Sequence, residues 1–182
     1  MALVAFLRGV NVGGHRRFRP STLASELQHL GAVNIGAAGT FVIRANITRA
    51  KLRAELLRRL PFETTIAICD GRDVSRLIAS EPYAREPAKP GVVRFISVLT
   101  GSPRSGMVLP MTLPRRGRWL VKILARDRRI IVGQYRRHMK TIAQLGRIDD
   151  VFGVPATTRS WNTMVTIAET VKSWQRPGGR GA

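Results

Sequence analysis

The chain is expected to fold as an α+β protein, with a ferredoxin-like βαββαβ N-terminal part and a smaller C-terminal α+β part. Three observations predict this. Apolar runs of strand length alternate with segments of helical periodicity through the first 80 residues. Hydrophobic residues make up 44% of the 182, enough for a packed core despite a net charge of +20. Three prolines between Glu81 and Pro90 then interrupt the pattern before strand and helix signals resume. The expected organisation is a subdomain over 1–80, a proline-rich linker over 81–90, a second subdomain over 91–175 and a mobile tail over 176–182.

Ala2–Leu7 is apolar throughout and reads as a buried strand, because Arg8 ends it too soon for a signal peptide. Ser21 or Thr22 can cap a helix that presents Leu23, Leu27 and Leu30 on one face and stops at Gly31. Short strands follow near 32–35 and 40–44. Thr48 can cap a helix to Leu60 with Leu52, Leu56 and Leu60 as its apolar stripe. Thr65–Cys69 is β-branched and apolar, hence a strand, and Asp73 can cap a helix to about Ser80. This order is that of the split βαβ motif. Beyond the prolines, Val92–Leu99 alternates like a strand, and 101–114 reads as a long loop. Trp119–Ala125 and Arg128–Gln134 form a hairpin turning at Arg126-Asp127. Helical patterns cover 138–145 and 161–174, the last with Trp161, Met164, Val165, Ala168 and Val171 on one face.

Charge points to partners. Lys and Arg number 31 against 11 Asp and Glu, and all but five of the 31 are arginine. That preference reflects either a planar fork suited to phosphate or a coding bias. Residues 1–60 hold ten bases and two acids, 91–147 hold thirteen bases and only Asp127, and 61–90 are near neutral. Two basic surfaces with a neutral seam are expected, and DNA or RNA is the polyanion such surfaces favour. No apolar run approaches the roughly 18 residues of a membrane span, so no membrane insertion is expected and the expected location is cytoplasmic.

Side-chain chemistry is sparse. Cys69, His15, His29 and His138 lack ligand spacing, so no metal and no cofactor are expected. Asp149-Asp150 is the lone carboxylate pair of its kind, and adjacent residues diverge on a helix. No nucleophile elbow is present, and the catalytic residues, if any, are unknown. Gly9–Gly14 follows the first strand and can serve either as a structural turn or as an anion-binding loop. In the second role Arg8, Asn11 and the Gly13 and Gly14 amides would hold the ligand. Likewise 155–163 is either a helix cap with Trp161 in the core or an anion site, with Ser160 as cap and Arg159 and Asn162 around a helix N-terminus. Phe6 and Phe41 fall where RNA-recognition sheets place aromatics, but aromatics are only 6% of the chain, and both read as core.

Leu7-Arg-Gly-Val-Asn-Val-Gly-Gly14 and Thr157-Thr-Arg-Ser-Trp-Asn-Thr163 resemble the opening and closing signatures of the bacterial domain of unknown function 1697 family. They stand at the two ends of the chain, as in that family. Where the family commonly has Tyr-Ile-Gln-Ser-Gly-Asn before its third strand, this chain has the shorter Ala37-Ala-Gly-Thr40. The resemblance implies an α+β fold with ferredoxin-like parts and implies no activity, substrate or cofactor. The function expected from the sequence is therefore non-enzymatic binding of nucleic acid or another polyanion through arginine-rich surfaces. The alternative is an enzyme or sensor whose small phosphorylated or carboxylated ligand sits between the two signature loops, on Arg8, Asn11, Gly13, Gly14, Arg159, Trp161 and Asn162.

Overall fold

The computed structural model describes residues 2–11 and 18–175. Within them the order is β1 Leu3–Leu7, α1 Pro20–Glu26, a 3₁₀ turn Gln28–Leu30, β2 Ala32–Asn34, β3 Thr40–Ile43, α2 Arg49–Arg59, β4 Ile66–Asp70 and α3 Gly71–Ala79. It continues with β5 Val92–Leu99, β6 Met111–Leu113, β7 Val121–Asp127, β8 Ile130–Arg136, α4 Thr141–Gly146, α5 Ile148–Phe152, β9 Ala156–Ser160 and α6 Trp161–Gln175. Helices and two antiparallel sheets are mixed, so the α+β class holds. The first sheet runs β2-β3-β1-β4 with every neighbouring pair antiparallel, an order consistent with the βαββαβ reading. The second runs β6-β7-β8-β5-β9.

The first sheet is covered on both faces, which is why its strands are apolar without a break. Leu3, Ala5, Leu7, Phe41, Ile43, Ile66 and Ile68 face Leu23 and Leu27 of the α1 segment and Leu52 and Leu56 of α2. Val4, Phe6, Val42, Ala67 and Cys69 face the other way. There they share one cluster with Val74 and Leu77 of α3, Ile96 and Val98 of β5, Ile130 and Val132 of β8, and Met164, Ile167 and Val171 of α6. A third cluster lies on the far face of the second sheet, closed by Ile148 and Phe152 of α5. The two halves of the chain are therefore joined through a common hydrophobic core. Phe6 and Phe41 are completely buried, as their core assignment requires.

The segment 81–90 is anchored and is not a loose tether. Tyr83 is buried in the shared core, and its hydroxyl donates to the carbonyls of Phe95 at 2.6 Å and Gly133 at 2.8 Å. Burial outweighs those bonds in raising its pKa far above the ordinary phenol value. Nor is the C-terminal part the smaller one: it carries the five-stranded sheet.

Local differences from the sequence reading have physical reasons. The first helix begins at Pro20, whose missing N–H suits a first helical turn, rather than at a Ser or Thr cap. Thr48 caps α2 as expected, its Oγ1 accepting from Lys51 N at 3.2 Å. Helix α3 starts at Gly71, with Asp73 inside its first turn. The β7–β8 hairpin turns at Arg128-Arg129, two residues later than expected. Asp127 pairs with Ile130 there, a bulge shifts the register between Ile123 and Ala125, and Arg128 takes φ +51°.

Gly133 explains how β8 can lie under a phenyl ring. A Cβ there would collide with Phe95 Cζ and stand 2.7 Å from Phe95 Cε1 and 2.8 Å from the Lys122 carbonyl oxygen. The last is backbone and cannot rotate away. Gly133→Ala is expected to cost about 2–3 kcal/mol, as overpacked cores do. A chemical-unfolding midpoint equal to that of the parent protein would refute this.

Candidate functional site

The two signature segments lie against each other. Leu7 ends β1, and Thr157–Ser160 form most of β9, which pairs antiparallel with β5 at the edge of the second sheet. Arg159 spans the gap: its Nη2 donates to Leu7 O at 2.7 Å and Ala38 O at 2.6 Å, and its Nε donates to Thr40 Oγ1 at 2.7 Å. Nη1 donates to Thr158 O at 2.8 Å. The residue is only 9% exposed. Burial lowers its pKa to about 10, so it remains charged at neutral pH, solvated by protein oxygens. The guanidinium carbon also stands 5.8 Å from the centre of the Phe6 ring.

Arg8 makes the reciprocal tie. Its Nη1 pairs with Asp149 Oδ2 in α5, and Asp149 Oδ1 accepts from Ala156 N, the first residue of β9, at 2.9 Å. Asn11 closes its own loop: Oδ1 accepts from Phe18 N at 3.1 Å, while Nδ2 donates to Phe18 O at 3.1 Å and Ala37 O at 2.9 Å. It holds φ +56°, a conformation asparagine tolerates better than most residues. Asn11 and Arg159 together thus pin the backbone of 37–40. Gly39 within it has φ +70°, and a Cβ there would lie 3.0 Å from Leu7 Cβ.

The structure brings Arg8, Asn11 and Arg159 together where the two signature segments meet. Asn11 and Arg159 engage their polar atoms in holding the segments in place, whereas Arg8 commits Nη1 to Asp149 and lines an open pocket with Gly9, Glu63, Thr64 and Thr65. Gly13 and Gly14 lie outside the described residues, as does the tail 176–182. Ser160 is the cap it was expected to be, its Oγ accepting from Thr163 N at 3.3 Å. Trp161 is half-buried, edge-on to Tyr83 with ring centres 5.0 Å apart, while Asn162 is exposed. Both line a cleft of about 260 Å³ with Lys89, Arg94, Gln134 and Arg137. That cleft lies beside the signature segments, not between them.

The cleft is one edge of a larger basic surface. Register and loop bonds place three connections at the same end of the second sheet. Val92 pairs with Arg136, Arg137 N donates to Gly91 O at 2.8 Å, Arg136 N donates to Leu120 O at 2.8 Å, and Leu113 pairs with Val121. This end therefore gathers Lys89 and Arg94, Arg115, Arg116 and Arg118 of the β6–β7 loop, Arg136 at the end of β8, and Arg137 and Lys140 after it. Beside it, Glu86 is neutralised by Lys122 Nζ at 2.5 Å and also accepts from Gln134 Nε2 at 2.8 Å, and Glu81 lines an adjoining pocket with Arg94 and Trp161. The Lys122 bond is the main reason that the Glu86 carboxyl sits below the usual range. At the other end of the sheet Asp127 stands among Arg126, Arg128 and Arg129, and along the seam Arg49 meets Asp70 at 2.5 Å and Arg76 meets Asp73 and Asp127. Sequence reasoning found the basic block but not this rim, because the strand register that assembles it is non-local.

Among the described residues no three His, Cys, Asp or Glu side chains converge as metal ligands, and no helix is long and apolar enough to cross a membrane. Cys69 is buried, and desolvation pushes its thiol up to about 12.

A family model described as "Protein of unknown function (DUF1697)" matches residues 1–109. The match includes the first signature segment and ends before the second. Among solved structures, the chain is similar to the conserved bacterial protein SP0830 from Streptococcus pneumoniae, with a TM-score of 0.58 at 15% identity over 93% of this chain and 98% of that one. At that identity the likeness is one of fold. No curated protein matches the chain.

Proposed function

The chain belongs to the DUF1697 family of proteins of unknown function, and we propose that this member is a non-enzymatic binder of nucleic acid or a related polyanion. The observation that carries the reading is the basic rim at one end of the second sheet. Eight Lys and Arg side chains from three connections, β5 and the end of β8 share it, and the Glu86 carboxylate beside it is already paired with Lys122. Such a surface attracts a phosphate backbone without needing sequence readout. A small anionic ligand held between the signature segments has less support, since Asn11 and Arg159 direct their polar atoms at the protein itself and Arg8 is paired with Asp149.

The test is fluorescence anisotropy of a labelled 20-nucleotide strand at about 150 mM salt. Arg115, Arg116 and Arg118 changed together to serine are expected to weaken binding tenfold or more, because each phosphate contact carries released counterions. These side chains are exposed and outside the core, so the variant should fold normally. Undetectable binding by the parent protein even at about 20 mM salt would reject the function.

A further inference from the structure

Large aromatic side chains usually report on the core, and most of those here do. Trp119 is an exception. It belongs to none of the three core clusters, is half-buried, and sits in the β6–β7 loop directly after Arg115, Arg116 and Arg118. The Arg136 guanidinium carbon lies 4.2 Å from the centre of its ring. Arg136 Nε is buried without a hydrogen-bond partner, so the guanidinium is held against the indole without that bond to direct it. The pair is anchored from below, because Arg136 N donates to Leu120 O and Leu120 N donates to Leu113 O, each at 2.8 Å. An indole and a guanidinium, planar groups both, are thereby fixed on the rim amid exposed arginines.

A surface of charge alone needs no such pair. Stacked aromatic and guanidinium groups beside cations are the elements with which proteins hold unpaired bases while tracking the backbone. A duplex keeps its base faces inside the stack and could offer this pair only its backbone. We infer that Trp119 and Arg136 form a stacking platform for a base of single-stranded nucleic acid, with Arg115, Arg116 and Arg118 on the flanking phosphates. The inference rests on the polyanion reading and narrows it to unpaired strands.

The experiment measures anisotropy of labelled 20-nucleotide deoxythymidine and uridine strands, a 20-base-pair duplex, and inorganic polyphosphate as a competitor without bases. The parent protein, Trp119→Leu and Trp119→Phe are compared, with circular dichroism confirming that each is folded. Trp119→Leu removes the ring while keeping apolar bulk. It is expected to lose roughly five- to hundredfold in affinity for the single strands, the range for one base stacked on an aromatic. Competition by polyphosphate and affinity for the duplex should stay within about twofold, and Trp119→Phe should recover most of the loss. Equal loss on polyphosphate and single strands, or no loss on either, would overturn the platform while leaving the polyanion reading intact. Absence of binding by the parent protein to every probe would overturn both. If Trp119→Leu is not folded, Trp119→Phe decides: single-strand affinity reduced to the level of polyphosphate overturns the platform, and retained preference for single strands supports it.

Discussion

Replacing Arg159 by methionine is expected to lower the unfolding free energy by about 3–5 kcal/mol, much of the roughly 5–15 kcal/mol a domain possesses. The magnitude follows from what the guanidinium leaves behind. Leu7 O and Thr40 Oγ1 each lose a donor at 2.7 Å in buried bonds, and Ala38 O loses one at 2.6 Å in a part-buried bond. A buried acceptor stripped of its partner costs about 1–3 kcal/mol, and methionine fills the volume without supplying a donor. Arg159→Lys should recover only part of the loss, because one ammonium cannot span acceptors arranged around a planar fork. Urea unfolding at pH 7 measures both variants. A methionine variant within about 1 kcal/mol of the parent would show that the tie between the signature segments is not structural. The prediction also separates stability from ligand binding: if Arg159 held a ligand, its loss would reduce binding while leaving the ligand-free protein's midpoint nearly unchanged.

Arg159 also shows where sequence reading ends. Its acceptors are mainly backbone carbonyls from residues up to 152 positions away, and no side-chain pattern records them. A signature arginine beside a helix start looked like an anion site, yet it is the oxygen-lined anchor of β1, β3 and β9. Strand β9 was missed for a related reason. Thr-Thr-Arg-Ser has no alternating apolar pattern, and the strand exists because β5 pairs with it at a sheet edge. Strand β6 is three residues between prolines, too short for periodicity to register. What is legible has local causes: the unbroken apolar run of β1, the Thr48 cap, the left-handed Gly31 after Leu30, and Met164 and Val171 in the buried stripe of α6, whose third member is Ile167 in place of the expected Val165. The basic block over 91–147 was legible as composition, but its concentration on one rim depended on strand register. Trp119 was legible only as the start of a strand. Strand β7 begins two residues later, at Val121, which leaves Trp119 in the loop and outside the core.

The affinity of the protein for a 20-nucleotide single strand is expected to fall roughly 300-fold between 50 and 200 mM monovalent salt. A single strand releases about 0.7 counterion per phosphate contacted, so six contacts give a slope near −4 in log affinity against log salt. Six is a reasonable yield from eight rim cations: Arg94 donates to Glu86 O at 2.6 Å, and Arg136 is committed to the Trp119 ring. Changing Arg115, Arg116 and Arg118 to serine removes three contacts and should flatten the slope by about 2. Changing Arg49, Arg58 and Arg76 to serine is the matched control. Those arginines are exposed but paired with Asp70, Glu55 and Asp73, on the acid-bearing parts of the surface. Net charge drops equally in the two variants, so a response to overall charge would flatten both slopes alike. A response to the rim flattens only the first. Equal slopes for the two variants would assign the binding to the +20 of the whole chain and remove the rim from the account of function.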